Sequence, residues 1–313
     1  MFKCLVNIIL QIIDLGLGDP RMQALLNDPT TKFDVAMVVP FFGDEAGYYI
    51  AQRFNASLVL YFTGQVSLSW VDEAMGQPHN TAYLPTAILP FTSEMNFFQR
   101  AINTLGNFVF HRIMRNMYIL GKDYTILKKY FPNEEIPDLS ELEKKASLSM
   151  SFGHPLIMDG WRPVSPNHVY LGMMNCKETK KLDSADEIGK FLDDAKEGVI
   201  YVSFGSVIRG SYMSKERRQM FLNTFRGLKE KVLWKWETEE MEDKPDNVML
   251  SKWLPQQEVL AHPNVKLFVT HGGQSSFQET LCHGKPVVSG LLNFQIVFLL
   301  RLRKMVMPFV IGV

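Results

Sequence analysis

The chain has 313 residues, 46% hydrophobic, 12% aromatic and 21% charged, a globular composition that excludes a disordered, collagen-like or disulfide-scaffold protein. Lys and Arg total 33, as do Asp and Glu, so no excess of positive charge points to nucleic acid and no polybasic block points to a membrane surface. The three cysteines (Cys4, Cys176, Cys282) are far apart and odd in number, which reads as excluding a disulfide framework or a CxxC metal site.

Lys3 precedes an apolar stretch, but Asn7, Gln11 and Asp14 break it and no small-residue cleavage site follows, so a secretion signal is not expected. Leu5, Ile8, Ile9, Ile12 and Ile13 recur at helical spacing and predict an amphipathic core helix. Residues 33–39 (FDVAMVV) predict a buried strand, 45–54 a helix and 57–62 a second strand. That βαβ unit with short loops favours a parallel sheet and a right-handed crossover. Residues 72–94, with Gly76, Pro78, Pro85 and Pro90, read as loop. Residues 95–130 read as a long, largely buried helical region, and 146–152 as another strand.

A boundary falls at 160–183, where Pro163 and Pro166 precede the polar run CKETKKLDSADE. The alternation then restarts. Strands are predicted at 198–204, 232–236, 248–253, 266–270 and 286–289, with helices at 214–228 (Ser214 as N-cap), 255–260 and 275–282. The apolar run 291–300 is much too short to span a bilayer. The expected architecture is α/β: a first domain at 1–172, a linker region at 173–197 and a second domain at 198–313, each doubly wound. Ligands of such sheets sit beyond the carboxyl ends of the strands, with a cleft between the domains as the reaction site.

Chemistry concentrates between Trp253 and Gly290. The strand FVT runs into His271-Gly272-Gly273, then Gln274-Ser275-Ser276, then a helix carrying Glu279. Glycines at a strand-to-helix turn let backbone N–H groups approach a phosphate, and the helix N-terminus adds a positive dipole end. Ser275 and Ser276 offer hydroxyls and helix caps, Glu279 a carboxylate for two ribose hydroxyls, and Trp253 an aromatic face for a base. Taken singly, each has a bland reading: a turn, a cap, a core ring, a solvated charge. His262 and His283 read as structural.

As a spaced set these residues gain specificity. The order W-x-P-Q, H-x-G-x-x-S-x-x-E and H-G-x-P places Trp253, Pro255, Gln256, His271, Gly273, Ser276, Glu279, Gly284 and Pro286 at the spacings of the UDP-glycosyltransferases. The chain resembles that family, its arthropod branch above all, and the likeness includes Ser203-Phe204-Gly205-Ser206 and residues 32–56. The resemblance implies two Rossmann-like domains facing across a cleft, the glycosyltransferase B fold. The N-terminal domain (1–172) would take a small lipophilic acceptor and the C-terminal domain the UDP-sugar. Trp253 would stack on uracil, Gln256 would contact the uridine and Glu279 would hold the ribose. His271 would face the diphosphate with Gly273, Ser275, Ser276 and Ser206. The implied reaction is an inverting hexosyl transfer that uses neither metal nor cofactor, the UDP-sugar being the donor substrate. An intact relative would work on the lumenal side of the endoplasmic reticulum membrane, in detoxifying conjugation. Homo-oligomerisation is left open.

Departures accompany the likeness. The family's catalytic His, on a loop after its first strand, has no counterpart here, and its acidic partner aligns with Val39. Asp44 or Glu45 could substitute for that acid, the bland reading being a solvated helix-start charge. The family's sugar-contacting Asp-Gln pair aligns with Gln295 and Ile296, and a one-residue slip would let Gln295 stand for the Gln. The sequence thus reads as a family member shortened at both ends, lacking signal and anchor, with an inactive nucleotide-binding relative as the alternative and little turnover expected. Asn55-Ala56-Ser57 is a glycosylation sequon.

Overall fold

Contacts divide the chain into two units, Met1–Gly172 and Met173–Val313. The computed structural model describes all residues except 1, 41–44, 63–68, 78, 87–88, 90, 154–162, 207–208, 239–240, 242, 291–309 and 313.

In the first unit, β1 (Val35–Val38), β2 (Ser57–Phe62), β3 (Leu148–Ser151) and β4 (His168–Tyr170) form a parallel sheet in that order, Val35 opposite Ser57 and Leu60 opposite Ser149. Helices α1 (Phe2–Gly18) and α2 (Pro20–Asn27) precede it, and Asp19 caps α2 by accepting from the Arg21 N–H at 2.8 Å. Helices α3 (Ala46–Arg53) and α4 (Ser69–Ala74) flank β2 in the chain. A continuous helical run follows: α5 (Phe97–Phe108), a wide π-type segment Val109–Ile119 and α6 (Leu120–Tyr130), then α7 (Leu139–Glu143). An Asn96/Gln99 capping box starts α5. Leu60, Leu127, Leu142 and Tyr48 lie in the core.

Three expectations are corrected here. Strand β1 is at the sheet edge and shorter than read, with Val35 and Met37 exposed on one face, because only the other face has core against it. The run 97–113 is helical but not largely buried: Phe97, Phe98, Ile102, Leu105 and Phe108 are exposed while Asn103 and Phe110 point inward. In α1, Leu10 and Leu17 are buried and Ile13 packs against the core, but Ile12, read as part of the inward stripe, is exposed.

The first unit also buries charge. Arg115 Nη2 donates to both oxygens of Glu143 at 2.8 Å, and its Nε lies 3.7 Å from Glu45. Tyr48 donates its hydroxyl proton to Glu143 at 2.7 Å, and the Arg115 guanidinium stacks over Trp70. Glu45 is therefore a fully buried ion-pair member, not a solvated helix-start acid. Asp44 lies outside the described residues.

In the second unit, six parallel strands run β10-β9-β8-β5-β6-β7. They are β5 (Val199–Ser203), β6 (Lys231–Lys235), β7 (Val248–Ser251), β8 (Val265–Thr270), β9 (Val287–Gly290) and β10 (Val310–Gly312). The chain passes outward through β5, β6 and β7, then returns to place β8 on the other side of β5. That is the order of a dinucleotide-type sheet, and its switch point lies between β5 and β8. Both faces are covered, as parallel sheets require. Tyr201, Leu233 and Phe268 pack on one face with Leu192, while Val202, Val232 and Trp234 pack on the other with Leu222 and Phe225. Leu222 and Phe225 come from α9 (Lys215–Arg226), which Ser214 caps.

The stretch read as a linker, 173–197, is folded into this unit. Its helix α8 (Glu187–Asp193) buries Leu192, and Ala195 follows it into the core. The reading of the cysteines is also overturned: Cys176 and Cys282 form a disulfide, their Cα atoms 5.6 Å apart. Spacing in sequence could not exclude it, because the fold brings together residues separated by 106 positions.

Candidate functional site

A cavity of about 410 Å³ opens at the carboxyl ends of the second unit's strands. Its floor is Tyr201 and Ser203 of β5, its walls the start of α10 (Gln256–Ala261) and the first turns of α11 (Gln274–Cys282). This is the switch-point crevice, and its size is that of a small-ligand pocket.

Two strands lead into it through glycine. After β5 the chain turns at Gly205, φ 87°, and exposes Ser206 at the cavity. After β8 it turns at Gly272, φ 82°, and Gly273 becomes the residue before α11. The His271 ring fits between these turns. A Cβ on Gly205 would lie 2.7 Å from His271 Cε1, and one on Gly273 would lie 2.6 Å from Nε2, so only glycine admits the ring on either side. His271 and Gly273 thus stand behind the cavity wall that Gly205 forms. Burial, with Lys235 nearby, lowers the His271 pKa, so a neutral imidazole with one donor and one acceptor is present near pH 7. Nδ1 is 3.4 Å from Thr270 Oγ1.

The two serines differ from expectation. No side chain caps α11, whose N-cap is Gly273 in extended conformation, so neither Ser275 nor Ser276 is a cap. Ser275 is exposed and lines the cavity. Ser276 is buried, and its hydroxyl accepts from Gln256 Nε2 at 3.1 Å. The helix begins at Gln274, one residue early, because Gly273 supplies the non-helical backbone an N-cap needs.

Gln256 is the hub of one end. Its Nε2 also donates to Glu279 Oε2 at 2.6 Å, and its Oε1 accepts from the Tyr201 hydroxyl at 3.0 Å. Gln257 donates to the other Glu279 oxygen at 3.5 Å. Burial raises the Glu279 pKa and the Gln256 bond opposes it. Trp253, also on the cavity lining, is 73% exposed, its ring 5.2 Å from Lys235 Nζ. Lys235 also donates to the Gly205 carbonyl at 2.7 Å, so it links Trp253 to the turn against which His271 packs.

The fold therefore collects Ser206, Trp253, Gln256, Ser275, Ser276 and Glu279 at one cavity, with His271 and Gly273 just behind it. Gln295 and Ile296 lie outside the described residues. Sequence reading missed Lys235, Lys177, Tyr201 and Gln257, all cavity-lining. The position of Lys235 at the carboxyl end of KVLWK was the available signal, since ligands gather at strand ends. His262 bonds Asp193 at 3.2 Å, away from the cavity lining. In the first unit, His79 Nδ1 sits 2.6 Å from Asp72, both buried.

Glycine turns, a helix start, a carboxylate held by amides and an exposed indole gather around the switch-point crevice of a doubly wound α/β unit, the place where such sheets take their ligands. Comparison with known proteins takes this further. Residues 19–294 match the family model described as "UDP-glucoronosyl and UDP-glucosyl transferase". UDP-glucosyltransferase 2 of Dactylopius coccus is 34% identical over 288 residues, covering 92% of this chain and 54% of its own length. The 2-hydroxyacylsphingosine 1-beta-galactosyltransferase of Rattus norvegicus is 30% identical over 260 residues, 82% of this chain and 45% of that protein. The chain belongs to the UDP-glucuronosyl and UDP-glucosyl transferase family, and it spans about half the length of the curated relatives it matches.

Solved structures agree on the fold. A UDP-glucosyltransferase from Polygonum tinctorium that glucosylates indoxyl matches with a TM-score of 0.57 at 17% identity, over 94% of this chain and 66% of that one. Os79 from O. sativa, in complex with UDP, gives 0.56 at 13% identity, over 94% and 68%. The architecture is that of the glycosyltransferase B class.

Proposed function

We propose that the second unit binds a UDP-sugar and that the protein transfers its hexosyl group, glucose or glucuronic acid, to the hydroxyl of a small lipophilic acceptor with inversion. The observation that carries this is that the Gln256–Glu279 pair and the exposed Trp253 line one cavity. Uracil stacks on the indole, and the Glu279 carboxylate accepts from the ribose hydroxyls. The diphosphate reaches the glycine turns, where His271, Ser206, Ser275 and the start of α11 offer hydrogen-bond donors. As the acceptor hydroxyl gives up its proton to water and its oxygen bonds to the anomeric carbon, the bond to the diphosphate oxygen breaks and negative charge gathers there. Fixed N–H groups, the helix dipole and the Lys235 ammonium favour that charge without reorganising. The disulfide supports an oxidising compartment, which suits the lumenal side of the endoplasmic reticulum expected of the family.

Calorimetry with UDP tests the reading. Binding is expected, and His271→Ala should weaken it by about 1–3 kcal/mol, the worth of one hydrogen bond to a charged group and its desolvation. Equal affinity of both forms would remove His271 from the site. Turnover with UDP-glucose and UDP-glucuronic acid over phenolic acceptors then identifies the sugar.

A further inference from the structure

The segment between Gly172 and α8 carries no strand or helix among the described residues, yet it reaches the cavity. Cys176 is tied to Cys282, the last residue of α11, the helix that also carries Ser276 and Glu279. The next residue, Lys177, lines the cavity, and its backbone N–H donates to Gln257 Oε1 at 3.1 Å. Gln257 in turn holds Glu279 Oε1 at 3.5 Å. A covalent bond and a hydrogen bond on adjacent residues thus fix the backbone of an exposed lysine beside the Glu279 carboxylate.

We propose that Lys177 is a further positioning residue of the nucleotide site, placed at its Glu279 end by the Cys176–Cys282 bond. The inference rests on the UDP-binding reading above. A lysine on an unsupported segment must lose backbone and rotamer freedom before it helps hold a ligand, which cancels most of a surface charge contact. A cross-link one residue away removes much of that loss before the ligand arrives, so the contact survives as affinity. The ammonium favours the ionised carboxylate, the form that accepts from two ribose hydroxyls. Burial and Glu258 on α10 oppose that form, while Gln256, Gln257 and Lys177 favour it. The charge also attracts the diphosphate-bearing ligand as a whole.

The test is a thermodynamic cycle on UDP affinity in the 313-residue protein. Lys177→Gln is expected to weaken UDP about three- to fivefold, the upper end for a partly exposed charge, and Lys177→Arg to restore it. Cys282→Ser, or reduction of the oxidised protein, should produce a similar loss. In that reduction a dithiol delivers two electrons and two protons, leaves two thiols and closes to a cyclic disulfide. The two losses should not add: in the Lys177→Gln background, reduction changes little. Thermal unfolding of each form shows that it is folded, and the reductant arm serves if Cys282→Ser does not fold. Additive losses would mean that the bridge acts on stability alone and would overturn the proposal. So would Lys177→Gln and reduced protein that both bind UDP as the oxidised wild type does, a result that leaves the nucleotide site standing. No UDP binding by the oxidised wild type would sink both readings.

Discussion

Gln256 and Glu279, on different helices and 23 residues apart, meet at 2.6 Å over the floor of the cavity. The bond does two things. It satisfies an amide whose other end is engaged by Tyr201, and it counters the burial that raises the Glu279 pKa. Glu279→Gln keeps the shape but removes the charge, and it presents two amides to each other. UDP affinity is expected to fall by about 1.5–3 kcal/mol, the range for hydrogen bonds to charged groups. Calorimetry reads the change, and an unaltered affinity would place the ribose elsewhere.

Trp253 presents an exposed ring at the cavity. Base stacking on an aromatic side chain is worth about 1–3 kcal/mol, so Trp253→Ala should weaken UDP by that amount. Because the side chain is exposed, thermal stability should hardly move. A large drop in melting temperature with unchanged UDP affinity would make Trp253 structural.

Gly205 is constrained twice, by its φ of 87° and by the His271 ring 2.7 Å from where a Cβ would stand. Gly205→Ala should cost about 1–3 kcal/mol of stability through backbone strain and displace the imidazole. Denaturant unfolding measures the first effect, and the imidazole resonances by NMR report the second.

The second unit was legible because its strands are short apolar runs, two of which lead into glycine turns. GVIYVSF before Gly205 and FVT before His271-Gly272-Gly273 marked the turns beside the cavity, while the switch point between them became visible only in the strand order. What stayed hidden depends on tertiary neighbours. Nothing in FFQRAINTLGNF says whether its Phe and Leu face has cover, and it does not. Val35 and Met37 sit in a run indistinguishable from a central strand. Cys176 and Cys282, 106 positions apart, needed the fold to meet, and with them Lys177, one lysine among many, became a cavity residue.

The first unit carries two buried groups whose pH effects oppose each other. Burial lowers the His111 pKa from 6.5 to about 4, so the unfolded chain binds the extra proton in that window. Stability from this group is present above pH 6.5 and is lost as pH falls toward 4. Burial raises the Glu143 pKa from 4.5 to about 7, so there the folded chain holds the extra proton. Its contribution is present below pH 4.5 and is lost as pH rises through 7. The two contributions have opposite slopes and offset each other in the wild type. His111→Gln should expose a stability that falls as pH rises, and Glu143→Gln one that rises. Denaturant unfolding across the window checks both, and parallel profiles for the two variants would contradict the assignment.

The most direct test of the central claim is the position of the nucleotide in a crystal structure of this protein with UDP. The account predicts uracil stacked on Trp253, ribose hydroxyls within hydrogen-bond distance of Glu279, and the diphosphate at the Gly205 and Gly273 turns beside His271. A well-ordered UDP bound anywhere else, or the cavity at the β5–β8 switch point empty at saturating UDP, would contradict it.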